Sequence, residues 1–98
     1  SLVDCVSILC RASGVGAEVE LEWLPLSPAF RRNFSVREAA TGGEDYSLLF
    51  AADPAAVRRL ERLLRFSVIG RLTSPGKGVR FRENGRDAAI SRLFEHFS

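Results

Sequence analysis

The sequence is short of several residues that chemistry depends on. It has no methionine, one histidine (His96), one lysine (Lys77) and two cysteines (Cys5 and Cys10) among 98 residues. One histidine near the end of the chain leaves no supply for a nucleophile–base–acid triad. Two cysteines five apart give neither a zinc spacing nor a disulfide framework. Both sit in an apolar-periodic segment, so both are expected to be small buried core residues in a reducing compartment. No apolar run approaches the about 20 residues needed to cross a bilayer. No basic-then-apolar leader is visible, so the expected compartment is the cytoplasm. The net charge of +2 is too small to argue for nucleic acid. Without methionine the chain lacks an initiator residue, and "SLVDCV" is already patterned like the inside of a helix. The expectation is a piece of something longer.

What is present reads as one small domain with a single core, spanning residues 1–98. An apolar share of 46% and a charged share of 27% are ordinary for a globular chain. Leu2, Val6 and Leu9 recur at helical spacing, and Ser13-Gly14 supplies a stop, which predicts a helix over 2–12. "VGAEVELEW" alternates, with Ala17, Val19, Leu21 and Trp23 on one face and Glu18, Glu20 and Glu22 on a solvated one. Residues 27–34 read as a loop or a short turn of helix. Ser35 and Glu38 form a capping box, so a short helix starts at Val36 and ends at Gly42. Tyr46 to Ala51 is apolar on both faces, as a strand in the middle of a sheet would be. Asp53-Pro54 opens a helix with an inner stripe of Val57, Leu60 and Leu64, reaching about Arg65. Residues 66–72 predict a strand, 73–78 a flexible loop, and 79–82 a short strand turned at Asn84-Gly85. "AAISRLFEHF" closes the chain as a helix. The order α-β-α-β-α-β-β-α gives an α+β fold, a mixed sheet of about four strands with helices packed on it.

Four arginines, Arg58, Arg59, Arg62 and Arg65, cluster on one predicted helix and read as its solvated face rather than a phosphate stripe. "GVG" at 14–16 follows a helix, where a dinucleotide loop needs a strand before it. "PGKG" at 75–78 lacks the serine or threonine and the helix of a P-loop. The stretch that stands out is "TGGEDYSLLF" (41–50). Gly42 and Gly43 permit a sharp reversal into the sheet, followed at once by two carboxylates. A carboxylate at the mouth of a strand costs stability unless it is solvated or hydrogen-bonded. A backbone N–H and a ligand's amine are both suitable donors, so a capping role and a ligand role both fit the residues.

"ASGVGAEVELEWLPLSP" (12–28), "TGGEDYSLLF" (41–50), "IGRLTSPGKGVRF" (69–81) and "FEHF" (94–97) occur in the same order as in thiamine-monophosphate kinases. The chain resembles the C-terminal domain of that family, within the group that includes aminoimidazole ribonucleotide synthetase and selenophosphate synthetase. The resemblance implies an α/β/α layered domain on the substrate side of a two-domain enzyme. It implies an N-terminal domain, outside these 98 residues, carrying most of the ATP and magnesium site and the contacts of a homodimer. The implied reaction moves the γ-phosphoryl of ATP onto thiamine phosphate to give thiamine diphosphate, with the 98 residues inactive alone. The resemblance makes Glu44 the substrate-binding glutamate at the thiamine end, where a carboxylate accepts from an aminopyrimidine amine. Phe94 matches an aromatic position near the family's C-terminus. There its ring could stack on a heterocycle, or simply pack in the last helix. No catalytic or metal-binding residue is carried over, because the family's "DVSDG" motif would lie before Ser1. Cys5, Ser47 and Leu93 stand where the family commonly has aspartate, glutamate and glycine. Two other readings stay open. One is a different member of the superfamily, of the hydrogenase-maturation or selenophosphate-synthetase kind, and the other is a non-catalytic binding module on the same fold.

Overall fold

A computed structural model describes residues 1–33, 35–41 and 49–88. The first helix, α1 (Leu2–Ser13), is closed at both ends by its own sequence. The Ser1 hydroxyl accepts from the Asp4 N–H at 3.2 Å, and Gly14 adopts the left-handed conformation (φ 67°) that ends the helix. Its buried residues are Val3, Val6 and Cys10. The inner stripe therefore lies one position round from the expected Leu2–Val6–Leu9, and this corrects the reading of Cys5. At about 100° per residue Cys5 stands about 200° from Val3, and it is exposed. Only Cys10 is a core residue.

Strand β1 (Gly16–Glu20) is the axis of the sheet. It pairs antiparallel with β2 (Gly70–Thr73) on one side and parallel with β3 (Val79–Glu83) on the other. A fourth strand, β4 (Arg86–Asp87), pairs antiparallel with β3, giving the order β2-β1-β3-β4. The described residues thus form an α+β fold with a mixed four-stranded sheet, as expected, but one of its strands, β4, was not anticipated. The described part of the Tyr46–Ala51 run, residues 49–51, is neither strand nor helix. Both neighbours of β1 are supplied by β2 and β3, and Tyr46 to Leu48 lie outside the described residues. The fourth strand comes instead from the Asn84-Gly85 turn. Both residues have positive φ (53° and 76°), the requirement of a two-residue hairpin turn whose twist matches its strands.

Strand β1 also ends sooner than its alternation suggests. Leu21–Trp23 is a 3-10 turn, closed by the Leu24 N–H donating to the Leu21 carbonyl at 3.2 Å. Pro25 follows and holds Leu24 extended (ψ 134°). Leu21 stays buried, but Trp23 does not join Ala17 and Val19 in the core; it is 54% exposed. Strand β2 covers only the later part of the expected 66–72. Its ladder to the five-residue β1 runs from Val19↔Gly70 to Gly16↔Thr73. At Gly70 the strands approach so closely that a Cβ would lie 2.1 Å from the Glu18 carbonyl oxygen.

Three short helices occupy the connections. Ser27 caps α2 (Pro28–Asn33), its hydroxyl accepting from the Phe30 N–H at 3.1 Å. The predicted capping box starts α3 (Val36–Thr41). Ser35 Oγ accepts from the Glu38 N–H at 3.1 Å, and Glu38 Oε1 accepts from the Ser35 N–H at 2.9 Å. Asp53 caps α4 (Pro54–Leu60), with Pro54 in the first turn. That helix stops five residues short of the expected Arg65. Leu63 and Leu64 are exposed, so burial does not hold a further turn, and a short helix depends on burial. The 73–78 segment contains a 3-10 turn, Pro75–Lys77.

The core lies between α1, α3 and one face of the sheet. Val3, Val6 and Cys10 of α1 meet Ala17 and Val19 of β1, Phe81 of β3, Leu21, and Ala40 of α3. Among the described residues no helix is long and apolar enough to cross a membrane.

Candidate functional site

The two residues singled out from the sequence, Glu44 and Phe94, lie outside the described residues, as does the predicted closing helix. The structure does describe how their flanks are held. Helix α3 brings the chain to Thr41 with Ala40 fully buried, and Leu49, on the far side of 42–48, packs against the same core. The last ten residues leave from Ala88, which is also buried and whose N–H donates to the Phe81 carbonyl at 2.8 Å.

The sheet face turned away from α1 and α3 carries the charge. Strand alternation that sends Ala17 and Val19 inward sends Glu18 and Glu20 outward. Arg71 stands directly across from Glu18 in the β1–β2 ladder and meets one carboxylate oxygen twice. Its Nε donates to Glu18 Oε2 at 3.1 Å, and its Nη2 lies 3.0 Å from the same oxygen. That hydrogen bond holds the Glu18 carboxyl below its ordinary pKa. Burial opposes it, and the positive charges of Arg71, Arg82 and Lys77 add smaller effects in the lowering direction. Arg82 faces Glu20 across the β1–β3 ladder, Nη1 to Oε1 at 3.6 Å. Burial moves the Cys10 thiol the other way, raising its pKa on the helix-covered side.

Trp23 and Val68 sit among these pairs and with them line a hollow of about 360 Å³. A second hollow, about 420 Å³, lies beside the hairpin turn. There Arg37 Nε is 3.5 Å from Glu83 Oε2, with Asn84, Arg86 and Asp87 alongside. The backbone N–H of Asn84 also donates to Glu22 Oε1. Both hollows are open surfaces in which acids and bases neutralise one another, the hairpin hollow mainly polar and the Trp23–Val68 hollow mainly apolar. Among the described residues no group of three or more His, Cys, Asp or Glu is placed to hold a metal ion. Magnesium's oxygen donor set is accordingly not met by any described cluster. Arg58, Arg59, Arg62 and Arg65 are all exposed, in keeping with a solvated face.

The hollow around Trp23 was missed in the sequence because strict alternation placed that tryptophan inward. The strand breaks before Pro25, at the Leu21–Trp23 3-10 turn, which alternation alone does not signal.

Comparison with known proteins returned thiamine-monophosphate kinases. The enzyme of Synechococcus elongatus is 35% identical over 100 residues, covering 99% of this chain and 31% of the relative. That of Escherichia coli K12 is 29% identical over 107 residues, covering 99% of the chain and 33% of the relative. The Caulobacter vibrioides protein is 33% identical over 100 residues, covering 89% and 28%. No family model and no solved structure matches the chain. The resemblance read from the residues is borne out: nearly the whole chain is similar to part of a thiamine-monophosphate kinase. It spans about a third of the length of the curated relatives it matches.

Proposed function

We propose that this chain is the C-terminal, substrate-side domain of an ATP-dependent kinase that converts thiamine phosphate to thiamine diphosphate. The observation that carries the reading is the 35% identity to the Synechococcus elongatus kinase over 99% of the chain. In this reading Glu44 accepts a hydrogen bond from the aminopyrimidine amine of the substrate, and Phe94 stacks on its ring. Ala40 and Leu49, on either side of 42–48, both pack in the core of the domain. ATP and magnesium are held by the remainder of the enzyme, which also makes the contacts of a homodimer in the cytoplasm. Magnesium screens the charge of the transferring phosphoryl group. The 98 residues alone neither bind MgATP nor turn it over.

The test is a chimera in which this chain replaces the 100 matched residues of the Synechococcus elongatus kinase. The chimera should form thiamine diphosphate from thiamine phosphate and MgATP, and the 98-residue chain alone should not. A folded chimera without that activity, or an active isolated chain, contradicts the reading.

A further inference from the structure

We infer that the charged face of the sheet, centred on Trp23 and Val68, is the surface on which the remainder of the kinase-length chain seats. Three observations converge on that face. First, the central pair of the sheet, β1 with β3, is parallel. Parallel strands are normally covered on both faces, because the crossovers that create them lay other elements over the sheet. The described helices α1 and α3 join the core on one face only. Second, this face, which α1 and α3 leave uncovered among the described residues, has the anatomy of an interface rather than of a solvated strand surface. Trp23 and Val68, 54% and 49% exposed, form an apolar centre. Around them Glu18–Arg71 and Glu20–Arg82 are closed into pairs within the chain. A tryptophan and arginines around an apolar centre are the residue types that carry binding energy at protein interfaces. Third, the chain spans only about a third of its relatives' length, leaving a partner of about twice its own size to be seated.

Pairing Glu18 and Glu20 in advance suits this role, because a covering surface would otherwise bury uncompensated charge. The face would then be covered without any new ion pair, its affinity coming from Trp23 filling a pocket on the other domain. The inference rests on the proposed function for its choice of occupant, and it is tested by a readout other than activity.

Trp23 is the only tryptophan of the chain, so it reports on this face directly. The probe is the chimera described above, compared with its Trp23→Phe variant so that the difference spectrum isolates Trp23. In the 98-residue chain alone, Trp23 should emit as a hydrated indole and be quenched freely by acrylamide, independently of protein concentration. In the chimera its emission should move to shorter wavelength and the quenching constant should fall severalfold. Val68→Glu in the chimera should restore quenching, while leaving the melting temperature of the isolated chain unchanged because Val68 is exposed there. Free quenching of Trp23 in the chimera overturns the inference, even if the chimera is an active kinase. Shielding already present in dilute isolated chain overturns it as well, because the chain then covers its own face. Shielding of the isolated chain that grows with concentration assigns the face to a second copy and also overturns it. Shielding in an inactive chimera supports this inference while contradicting the proposed function.

Discussion

The two faces of the four-stranded sheet are built by different rules. On one, Ala17, Val19 and Phe81 meet Val3, Val6 and Cys10, and every contact is apolar. On the other, Glu18, Glu20, Arg71 and Arg82 neutralise one another across the ladders. The apolar face holds the fold together, since burial of large side chains is the dominant favourable contribution to folding. The charged face adds little to stability, because exposed ion pairs contribute about 0–1 kcal/mol each. What the charged face retains is specificity of shape and charge. The difference separates the residues that make the domain from those free to serve something outside it.

The sharpest way to break this comparison is to mutate neighbours in β3. Phe81→Ala on the apolar face should cost about 3–5 kcal/mol, as deletion of a fully buried phenylalanine does. Arg82→Ala, one residue on and on the other face, should cost no more than about 1 kcal/mol. Denaturant melts of the two variants decide, and equal losses would end the distinction between the faces. Gly70→Ala comes next. Its Cβ would meet the Glu18 carbonyl oxygen at 2.1 Å, so β2 must shift, at about 1–3 kcal/mol. A neutral result would mean that the β1–β2 approach is not as close as described.

Thiol labelling sharpens the comparison without mutation. Cys5, exposed, should react in the folded protein, whereas Cys10 is buried and its thiol pKa is raised. Cys10 should label only as fast as the chain opens. Equal rates would place the inner face of α1 elsewhere. The smallest effect concerns pH. The folded Glu18 carboxyl is lowered below its unfolded value, chiefly by its hydrogen bond from Arg71. Its contribution to stability is therefore present above the ordinary carboxylate range and is lost as pH falls through the lowered value. Glu18→Gln should therefore lower stability slightly at neutral pH, leave it unchanged at pH below the lowered value, and so flatten that acid limb of the stability profile. An unchanged acid limb would show that the Glu18–Arg71 pair contributes nothing.

Local chemistry was legible in the sequence wherever one or two residues decide the geometry. Ser35 with Glu38, Asp53 with Pro54, Gly14, and Asn84-Gly85 each produced the cap, stop or turn expected of them. What periodicity left open was how far each pattern extends and which strands meet. Tyr46 to Ala51 looked like a central strand by apolarity alone; its described part, residues 49–51, is neither strand nor helix, because a place beside β1 depends on long-range pairing that composition does not encode. Trp23 and Cys5 failed for a shared reason. Each lies on the edge of an apolar pattern, where a 3-10 turn or a rotation of one position moves a residue from core to surface. The charged pairs were half legible. The glutamates of β1 were read as an outward face, but their arginine partners lie about 50 or more residues away, and only the register brings them across. Glu44 and Phe94 were drawn from a resemblance, which the similarity to thiamine-monophosphate kinases supports at the level of the chain and not of the residue.

The measurement closest to the central claim is the affinity of the chimeric kinase for thiamine phosphate after Glu44→Gln. The change removes the charge and turns one acceptor oxygen into a donor. A hydrogen bond to a charged group contributes about 1.5–3 kcal/mol, so affinity should fall about ten- to a hundredfold. MgATP affinity and melting temperature should stay as they were, and Asp45→Asn should leave thiamine phosphate binding close to unchanged. Equal losses from the two substitutions, or a lower melting temperature with thiamine phosphate affinity intact, would contradict the account and leave "GGED" as a structural turn.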